Sequence, residues 1–425
     1  MNQYDAQELR ERLEEMGLEP AEGEAADVVV VHGCAVTAQA MRKTRKAVRA
    51  AQRTAGVRRV LLTGCAAAAA DGWAAEDGVR IVKWGADFEK RLREAALGPG
   101  EGERAHGTER AWGGGITRFA GRTRAYLKVQ DVCNGKCSYC IVPRLRGRSR
   151  WRPAEEVLTE ARRLVAAGYR ELVVCGVDVG SYGGRRGGLR ELLARLVDVE
   201  GVGRIRLSSL HPGQVDGALL RLWRASGKLV PHLHLPLQSG SDRILRRMRR
   251  DYDTAGFRRA VELVRSYLEV PAITTDVMVG FPGEEPRDFE ATLALLEEVG
   301  FCRVHVFPFS PRPGTEAAGM DGRPAPAEVQ RRSREVRRLA AALAERYAEQ
   351  LKGMREEALL QEPVAGGMMG TLARYVRVEV PEAEGVGRLV PVILSGWRRR
   401  GTEIVMTAEK VERLPVRRVA EALGA

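Results

Sequence analysis

Apolar residues recur along this chain in two patterns: short continuous runs typical of buried strands, and helical stripes between them. The first stripe places Ala6, Leu9, Leu13 and Met16 on one face of a helix that begins almost at the first residue. Two buried-type strands follow at 27–34 and 58–65, written DVVVVHGC and RRVLLTGC, and a helix follows the first of them. The pattern predicts an N-terminal α/β domain with a doubly wound sheet.

The pattern changes after a stretch rich in Gly and charge at 98–123, which lacks periodicity and is interpreted as a linker. Beyond it, apolar strands alternate with amphipathic helices up to residue 353. This alternation predicts a parallel sheet, open or closed into a partial barrel, with reactive groups on the loops at the carboxyl ends of the strands. The six candidate strands are AYLKVQ, ELVVCGV, RIRLSS, HLHLPL, ITTDVMVG and RVHVFPF.

The remaining segments, at 354–415, are short and β-like and predict a small β-barrel with surface arginines. RNA binding and a simple capping role are both open for this barrel.

Both N-terminal strands end in Gly-Cys, and Cys34 and Cys65 lie 31 positions apart. Both cysteines should therefore lie in the crevice at the carboxyl edge of one sheet. Another step of the same length back from Cys34 reaches residue 3, so the repeat predicts an earlier strand ending just before Met1. A buried strand contributes on the order of 5 to 15 kcal/mol through its apolar side chains. Because that is comparable with the stability of a whole domain, we expect an upstream reading to encode the missing strand.

Charge and composition narrow the class of protein. The formal charge of +13 favours an acidic partner, of which nucleic acid is the commonest, although arginines on solvated helix faces would give the same excess. The sequence contains no apolar run of roughly 18 residues and no signal-peptide pattern, so we expect a cytoplasmic protein with no membrane partner. Seven cysteines in a reducing compartment indicate metal binding or catalysis rather than disulfides.

The strongest chemical signal is the segment DVCNGKCSYCIVP, in which Cys133, Cys137 and Cys140 lie four and then three positions apart. Three thiolates on one loop can face one centre, and thiolates suit zinc or iron-sulfur clusters. Structural zinc needs a fourth Cys or His. The nearest are His106 and Cys175, and the latter is interpreted as a core residue. Three thiolates leave one coordination position open for a substrate, which favours a cluster over zinc.

The longer string RAYLKVQDVCNGKCSYCIVPRLRGRSR resembles the radical S-adenosylmethionine methylthiotransferases, as do PHLHLPLQSGSDRILRRM, TTDVMVGFPGE and HVFPFSPRPGTEAA. The resemblance covers nearly the whole chain and implies three domains. These are an N-terminal methylthiotransferase domain at 1–97, lacking its first strand; a radical S-adenosylmethionine partial (β/α)6 TIM barrel with a trailing helix at 124–353; and a TRAM-type RNA-binding β-barrel at 354–415.

The resemblance also implies a set of cofactor contacts. Cys133, Cys137 and Cys140 would hold a 4Fe-4S cluster whose open iron binds the amino and carboxylate groups of S-adenosylmethionine. Tyr139 would lie near the adenine, with exclusion of water from the loop as the alternative role. The other cofactor-binding candidates lie at or near strand ends, each with a polar role in the barrel interior as the alternative: Gly176, Asp178, Gln238, Asp276 and Arg312.

A second, auxiliary 4Fe-4S cluster in the resembling family takes part in sulfur insertion and uses three N-terminal cysteines. Only two of them, Cys34 and Cys65, have counterparts in this sequence. His32 is an alternative third ligand, since imidazole can replace thiolate on iron. With an incomplete set, we expect cleavage of S-adenosylmethionine without sulfur transfer.

The finer resemblance implies the branch that methylthiolates carbon 2 of threonylcarbamoyladenosine next to the tRNA anticodon. The alternatives are isopentenyladenosine, an aspartate of a ribosomal protein, and a non-catalytic RNA-binding protein with a structural metal loop. The implied partners are tRNA, an electron donor such as a flavodoxin or ferredoxin, and a sulfur source. Two arginine clusters are candidate phosphate contacts, with solvated helix faces as the alternative: Arg144, Arg146, Arg148 and Arg150, and Arg246, Arg247, Arg249 and Arg250.

Overall fold

The computed structural model describes residues 2–21, 26–70, 78–85, 87–98 and 114–411. Its α-helices are α1 (Asn2–Glu15), α2 (Ala38–Arg53), α3 (Cys65–Ala68), α4 (Phe88–Leu97), α5 (Val142–Arg146), α6 (Ala154–Ala166), α7 (Gly188–Val197), α8 (Gly217–Ser226), α9 (Asp242–Arg247), α10 (Thr254–Tyr267), α11 (Pro286–Val299) and α12 (Pro326–Gln350). Its strands are β1 (Val28–Gly33), β2 (Arg59–Gly64), β3 (Arg80–Ile81), β4 (Arg124–Lys128), β5 (Gln130–Asp131), β6 (Arg150–Trp151), β7 (Glu171–Cys175), β8 (Arg204–Leu207), β9 (His232–His234), β10 (Ala272–Val279), β11 (Arg303–Pro308), β12 (Arg355–Val364), β13 (Gly367–Leu372), β14 (Arg377–Pro381), β15 (Leu389–Arg400) and β16 (Glu403–Lys410).

The N-terminal region is a parallel sheet of order β1-β2-β3 with helices on both faces. Along β2, Leu61 packs with α1 and α4, whereas Leu62 packs with α2, as alternation along a strand requires. The register pairs Gly33 with Gly64. The residues that follow, Cys34 and Cys65, therefore leave the sheet at the same edge, as the 31-residue repeat predicts.

Helix α1 is buried on two faces rather than one. Its apolar stripe, represented by Leu9 and Met16, packs on the N-terminal sheet. Its polar face is also buried, because Tyr4 enters the core of the central barrel and Glu11 accepts hydrogen bonds from the backbone of residues 117 and 118. The helix thereby joins the N-terminal sheet to the barrel.

The six strands predicted for the central region are all present as β4, β7, β8, β9, β10 and β11. They form two parallel sheets, β4-β7-β8 and β9-β10-β11, and a parallel bridge between Ile205 and Leu229 lies where the sheets meet. Their inner faces and the surrounding helices share one apolar core. The arrangement is an α/β partial barrel, and its loops at the carboxyl ends of the strands meet at one mouth.

The C-terminal segments form a closed barrel of order β12-β13-β14-β16-β15, with its own apolar core. It contacts the central barrel through two buried arginines of β8 that pair with Glu171 of β7. Glu171 accepts from Arg204 Nε at 2.5 Å and from Arg206 Nε at 2.9 Å. The same two guanidiniums donate to the carbonyl oxygens of Thr371, at 2.8 Å, and Ala373, at 2.9 Å. Glu171 therefore orients the donors that hold the C-terminal barrel.

The predicted linker at 98–123 is described only in part, since residues 99–113 lie outside the described ranges. Its second half is packed rather than free: Ile116 and Phe119 are buried, and the Ile116 N–H donates to Glu160 at 2.9 Å. Gly-rich composition did not show this, because the partners that fix the segment lie far away in sequence. Within the described ranges, no helix is both long and apolar enough to cross a membrane.

Candidate active site at the cysteine loop

The three predicted cluster ligands lie on one loop, residues 132–141, which we call the cysteine loop; it lies between β5 and α5. Cys133 Sγ accepts a hydrogen bond from the Gly135 N–H at 3.1 Å. Cys137 Sγ accepts one from Arg250 Nη1 at 3.2 Å. Ser138 fastens the loop to the end of α9, since its backbone N–H donates to the Met248 carbonyl at 3.0 Å. The fold thus directs N–H donors at two of the three sulfurs.

The donor set fits an iron-sulfur cluster. Burial raises the pKa of Cys133 to about 11, and Asp178, Cys137 and Cys140 add to the shift. No three His, Cys, Asp or Glu side chains of the described ranges converge on a single metal ion. A 4Fe-4S cluster does not require that, because each cysteine ligates a different iron. The loop supplies three thiols and no fourth one. The nearby Asp178 Oδ2 is 3.7 Å from Cys133 Sγ.

Gly176 and Asp178 follow the end of β7, and Asp178 lies beside the cysteine loop. Gln130 fills the space beside Gly176, where a Cβ would lie 2.8 Å from its Oε1. The same Oε1 accepts from the Asp178 N–H at 2.9 Å. Gln214 Nε2 donates to the Asp178 carboxylate at 2.7 Å. Gln214 therefore holds the carboxylate beside Cys133, and Gln130 holds the Asp178 backbone.

Gln238, Asp276 and Arg312 are polar groups at the other side of the barrel mouth. Gln238 has φ of 66°, and its N–H donates to the Asp276 carbonyl at 2.8 Å. The Asp276 carboxylate is 3.3 Å from His234 Nε2. Within the described ranges, Gln238 Oε1 and Arg312 Nε are buried without a hydrogen-bond partner. Buried polar atoms normally have partners, so these two atoms are free to bind a polar group of a ligand.

Tyr139 packs into a small apolar cluster beneath the cysteine loop. Its ring meets Phe281 edge to face, with centroids 6.4 Å apart, next to Met248 and Met278. Burial raises the pKa of its hydroxyl. This position supports the water-excluding role and is compatible with an adenine nearby.

Cys65, one of the two N-terminal cysteines, lies against the helix that follows the cysteine loop. Cys65 is buried, and its Sγ accepts from Arg146 Nε at 3.1 Å. Arg146 also binds Asp5 at 2.8 Å and Asp131 at 2.9 Å. Burial raises the pKa of Cys65, and Arg146 opposes the shift. Because Arg146 ends α5, the helix that follows Cys140, its contact with Cys65 joins the N-terminal region to the segment that carries the cysteine loop.

His32 lies against Gly64, at the end of β2. Burial lowers its pKa to about 4, so the imidazole is neutral at pH 7. Within the described ranges, neither ring nitrogen has a hydrogen-bond partner. The side chain is thus in the protonation state that a metal ligand requires.

Two of the predicted phosphate contacts are corrected by the structure. Arg146 and Arg250 point inward and donate to cysteine sulfurs, whereas Arg148 and Arg246 are exposed. Arg146 and Arg250 point inward because the fold places acidic and sulfur partners next to them. The only signal in the sequence was their closeness to the cysteine motif.

The fold and the cysteine loop together define a radical S-adenosylmethionine protein. The family model of the radical SAM superfamily matches residues 127–296, and a model described as the uncharacterized protein family UPF0004 matches residues 1–80. Among solved structures, the radical S-adenosylmethionine methyltransferase TsrM from Kitasatospora setae superposes with a TM-score of 0.52. The match covers 69% of this chain and 66% of that one at 16% identity, and so supports the fold alone.

Curated relatives define the family more narrowly. The threonylcarbamoyladenosine tRNA methylthiotransferase MtaB of Chlamydia pneumoniae is 35% identical over 90% of this chain and 89% of its own length. The protein of that name from Thermotoga maritima is 34% identical over 88% and 87%. A tRNA-2-methylthio-N(6)-dimethylallyladenosine synthase from Anaeromyxobacter dehalogenans is 46% identical, but over 47% of this chain and 42% of its own. The chain belongs to the radical S-adenosylmethionine methylthiotransferase family.

Proposed function

We propose that this protein transfers a methylthio group to carbon 2 of N6-threonylcarbamoyladenosine next to the anticodon of a tRNA. The observation that carries the proposal is the cysteine loop, with its sulfur-directed donors, at the mouth of the partial barrel. Relatives named for this reaction match 90% and 88% of the chain, and the UPF0004 family model matches the region that holds Cys34 and Cys65. A barrel alone would support only the broader class of radical enzymes.

Cys133, Cys137 and Cys140 would hold the 4Fe-4S cluster that, when present, supplies one low-potential electron for cleaving the sulfonium of S-adenosylmethionine. The protein's own part is to bind, orient and shield. We assign Asp178 to the ammonium group of the methionine moiety. Gln238 Oε1 and Arg312 Nε, both buried without partners in the described ranges, would complete polar groups of the same ligand.

Cys34 and Cys65 would supply two ligands of the auxiliary cluster. Arg146 would donate to the Cys65 thiolate, as it does to the thiol, and such hydrogen bonds tune the potential of a cluster. Within the described ranges, the neutral His32 is the candidate for a third ligand.

The C-terminal barrel would contribute RNA binding, as in a TRAM-type domain, and its exposed Arg398, Arg399 and Arg400 support this role. The complete reaction also needs a reductant, such as a flavodoxin or ferredoxin, and a sulfur source. The second candidate substrate is isopentenyladenosine, favoured by the higher identity over half of the chain to the relative that is named for that base.

Mass spectrometry of tRNA nucleosides tests the substrate. In a host whose tRNA carries threonylcarbamoyladenosine but which lacks its own methylthiotransferase for that nucleoside, expression of this protein should restore the methylthio form. Restoration of methylthio-isopentenyladenosine instead, in a host lacking that second enzyme, would assign the other branch.

Replacing Asp178 by Asn should weaken binding of S-adenosylmethionine by roughly 10- to 100-fold, because a hydrogen bond to a charged group contributes about 1.5 to 3 kcal/mol. Equilibrium dialysis of the reconstituted protein measures this, and the iron content should stay at the parent level. Asp198→Asn changes an exposed carboxylate at the end of α7 and serves as the matched control. Equal affinity in D178N and the parent would contradict the assignment.

A further inference from the structure

A cleft of about 520 Å³ opens beside the cysteine loop and has no role in the reaction described so far. Its wall includes Asn134, Trp151, Arg185, Arg186, Arg190 and Gln214. Trp151 is 44% exposed, and in the described part of the chain only two other large apolar side chains, Val36 and Val386, are classed as exposed. An aromatic ring that is open to a cleft lined by arginines is the kind of surface on which a nucleic-acid base can stack.

The indole of Trp151 is held in a defined place. Its backbone belongs to β6 and pairs with Gln130 on β5, and the next residue, Arg152, is buried and donates its N–H to the Val129 carbonyl at 2.9 Å. The ring lies against the backbone of Gly184, where φ is 68° and a Cβ would stand 2.5 Å from Cη2 of the indole. A side chain at position 184 would therefore displace the ring, so the glycine makes room for it.

The charge around this ring is positive. The Arg185 and Arg186 side chains are 62% and 87% exposed. Arg185 pairs with Glu191, and Arg186 lies 3.8 Å from Asp216. Exposed pairs of this kind contribute little to stability. Their guanidiniums can therefore turn to a phosphate at small cost.

The cleft is continuous with the cysteine loop. Asn134 follows Cys133 directly and lines the cleft. On the other wall, Gln214 donates to Asp178, whose carboxylate is 3.7 Å from Cys133 Sγ. A ligand in the cleft therefore lies next to the place where S-adenosylmethionine would bind.

We propose that Trp151 is a stacking platform for an unpaired base of the anticodon loop adjacent to the modified adenosine, and that Arg185, Arg186 and Arg190 contact its phosphates. Single-stranded RNA bases bind in this manner, on an exposed aromatic ring flanked by cations. The inference rests on the proposed function, because it takes tRNA as the substrate.

Binding of a synthetic anticodon stem-loop RNA to the reconstituted full chain tests the platform. Stacking on an aromatic ring contributes about 1 to 3 kcal/mol per base, so Trp151→Ala should weaken binding by roughly 5- to 150-fold. Trp151→Phe should stay within about threefold of the parent, since a phenyl ring still stacks. RNA should quench tryptophan emission in the parent and quench it less in W151F.

The arginines have a separate readout. Removing two phosphate contacts with Arg185→Ala/Arg186→Ala should reduce the slope of log affinity against log salt by about two, whereas W151A should leave the slope unchanged. Arg258→Ala is the matched control and should leave binding unchanged. It removes an exposed arginine of α10 that pairs with Glu298.

Two outcomes overturn the proposal and can be told apart. If the parent binds the RNA and W151A binds it equally well, the platform is wrong and the proposed function stands. If the parent binds no anticodon RNA, both fail. Iron content and cleavage of S-adenosylmethionine without RNA should be the same in W151A as in the parent, which separates a binding defect from a folding defect.

Discussion

Cys137→Ala is expected to abolish cleavage of S-adenosylmethionine and to lower the iron content of the anaerobically reconstituted protein. Loss of one thiolate leaves two on the cysteine loop. Removing a residue that hydrogen-bonds to a metal ligand lowers metal affinity or activity by roughly 10- to 100-fold, and removing a ligand itself should lower them more. Iron and sulfide analysis, visible absorption and formation of deoxyadenosine in the presence of a strong reductant measure the effect.

Cys302→Ala is the control for this change. Cys302 is buried in the core of the C-terminal region, away from the loop, and burial raises its pKa to about 12. Its variant should keep the parent's iron content and deoxyadenosine yield. A C137A protein that is brown, carries the parent's iron and cleaves S-adenosylmethionine would show that the loop does not hold the cluster.

Local patterns were sufficient for most of the fold. The alternation of strands and helices predicted all six central strands, because a buried parallel strand is a continuous apolar run. The 31-residue repeat placed Cys34 and Cys65 at one sheet edge, and the register of β1 with β2 confirms it. Helix α1 was predicted from its apolar stripe, but its second buried face was not, because charged residues are buried only where distant partners neutralise them.

The environment of the site depends on contacts between distant parts of the chain. Arg250 reaches Cys137 across 113 positions, and Arg146 reaches Cys65 across 81. Gln214 reaches Asp178 across 36. A motif shows which residues carry the chemistry, whereas the donors that hold those residues become visible only when the strands are assembled.

Glu171→Gln is expected to destabilise the protein by about 3 to 5 kcal/mol, the usual cost of leaving a buried charge without its partner. The glutamine has nearly the same shape, but it leaves Arg204 and Arg206 buried next to each other without a counter-charge, and the Arg124 guanidinium is only 3.8 Å from the carboxylate that is lost. Urea unfolding of the full chain, followed by circular dichroism, measures the change.

The effect should concentrate on the C-terminal barrel. Arg204 and Arg206 donate to carbonyls of its β13–β14 segment only while Glu171 orients them. In E171Q we therefore expect faster proteolytic cleavage between α12 and β12 than in the parent. Glu191→Gln, which breaks an exposed pair with Arg185, is the control and should change stability by less than about 1 kcal/mol.

The acid sensitivity of this contact has a definite sign. Burial by itself raises the pKa of Glu171, but Arg204, Arg206 and Arg124 outweigh it and lower the pKa from 4.5 to about 2. A carboxylate whose pKa is lowered by folding stabilises the folded state at pH values above its unfolded-state pKa. This contribution is lost as the pH falls towards its folded-state pKa. The stability difference between the parent and E171Q should therefore be constant near neutral pH and shrink between about pH 4.5 and pH 2. A difference that stays constant over that interval would mean that folding does not lower the pKa of Glu171, and that its charge does not hold the two barrels together.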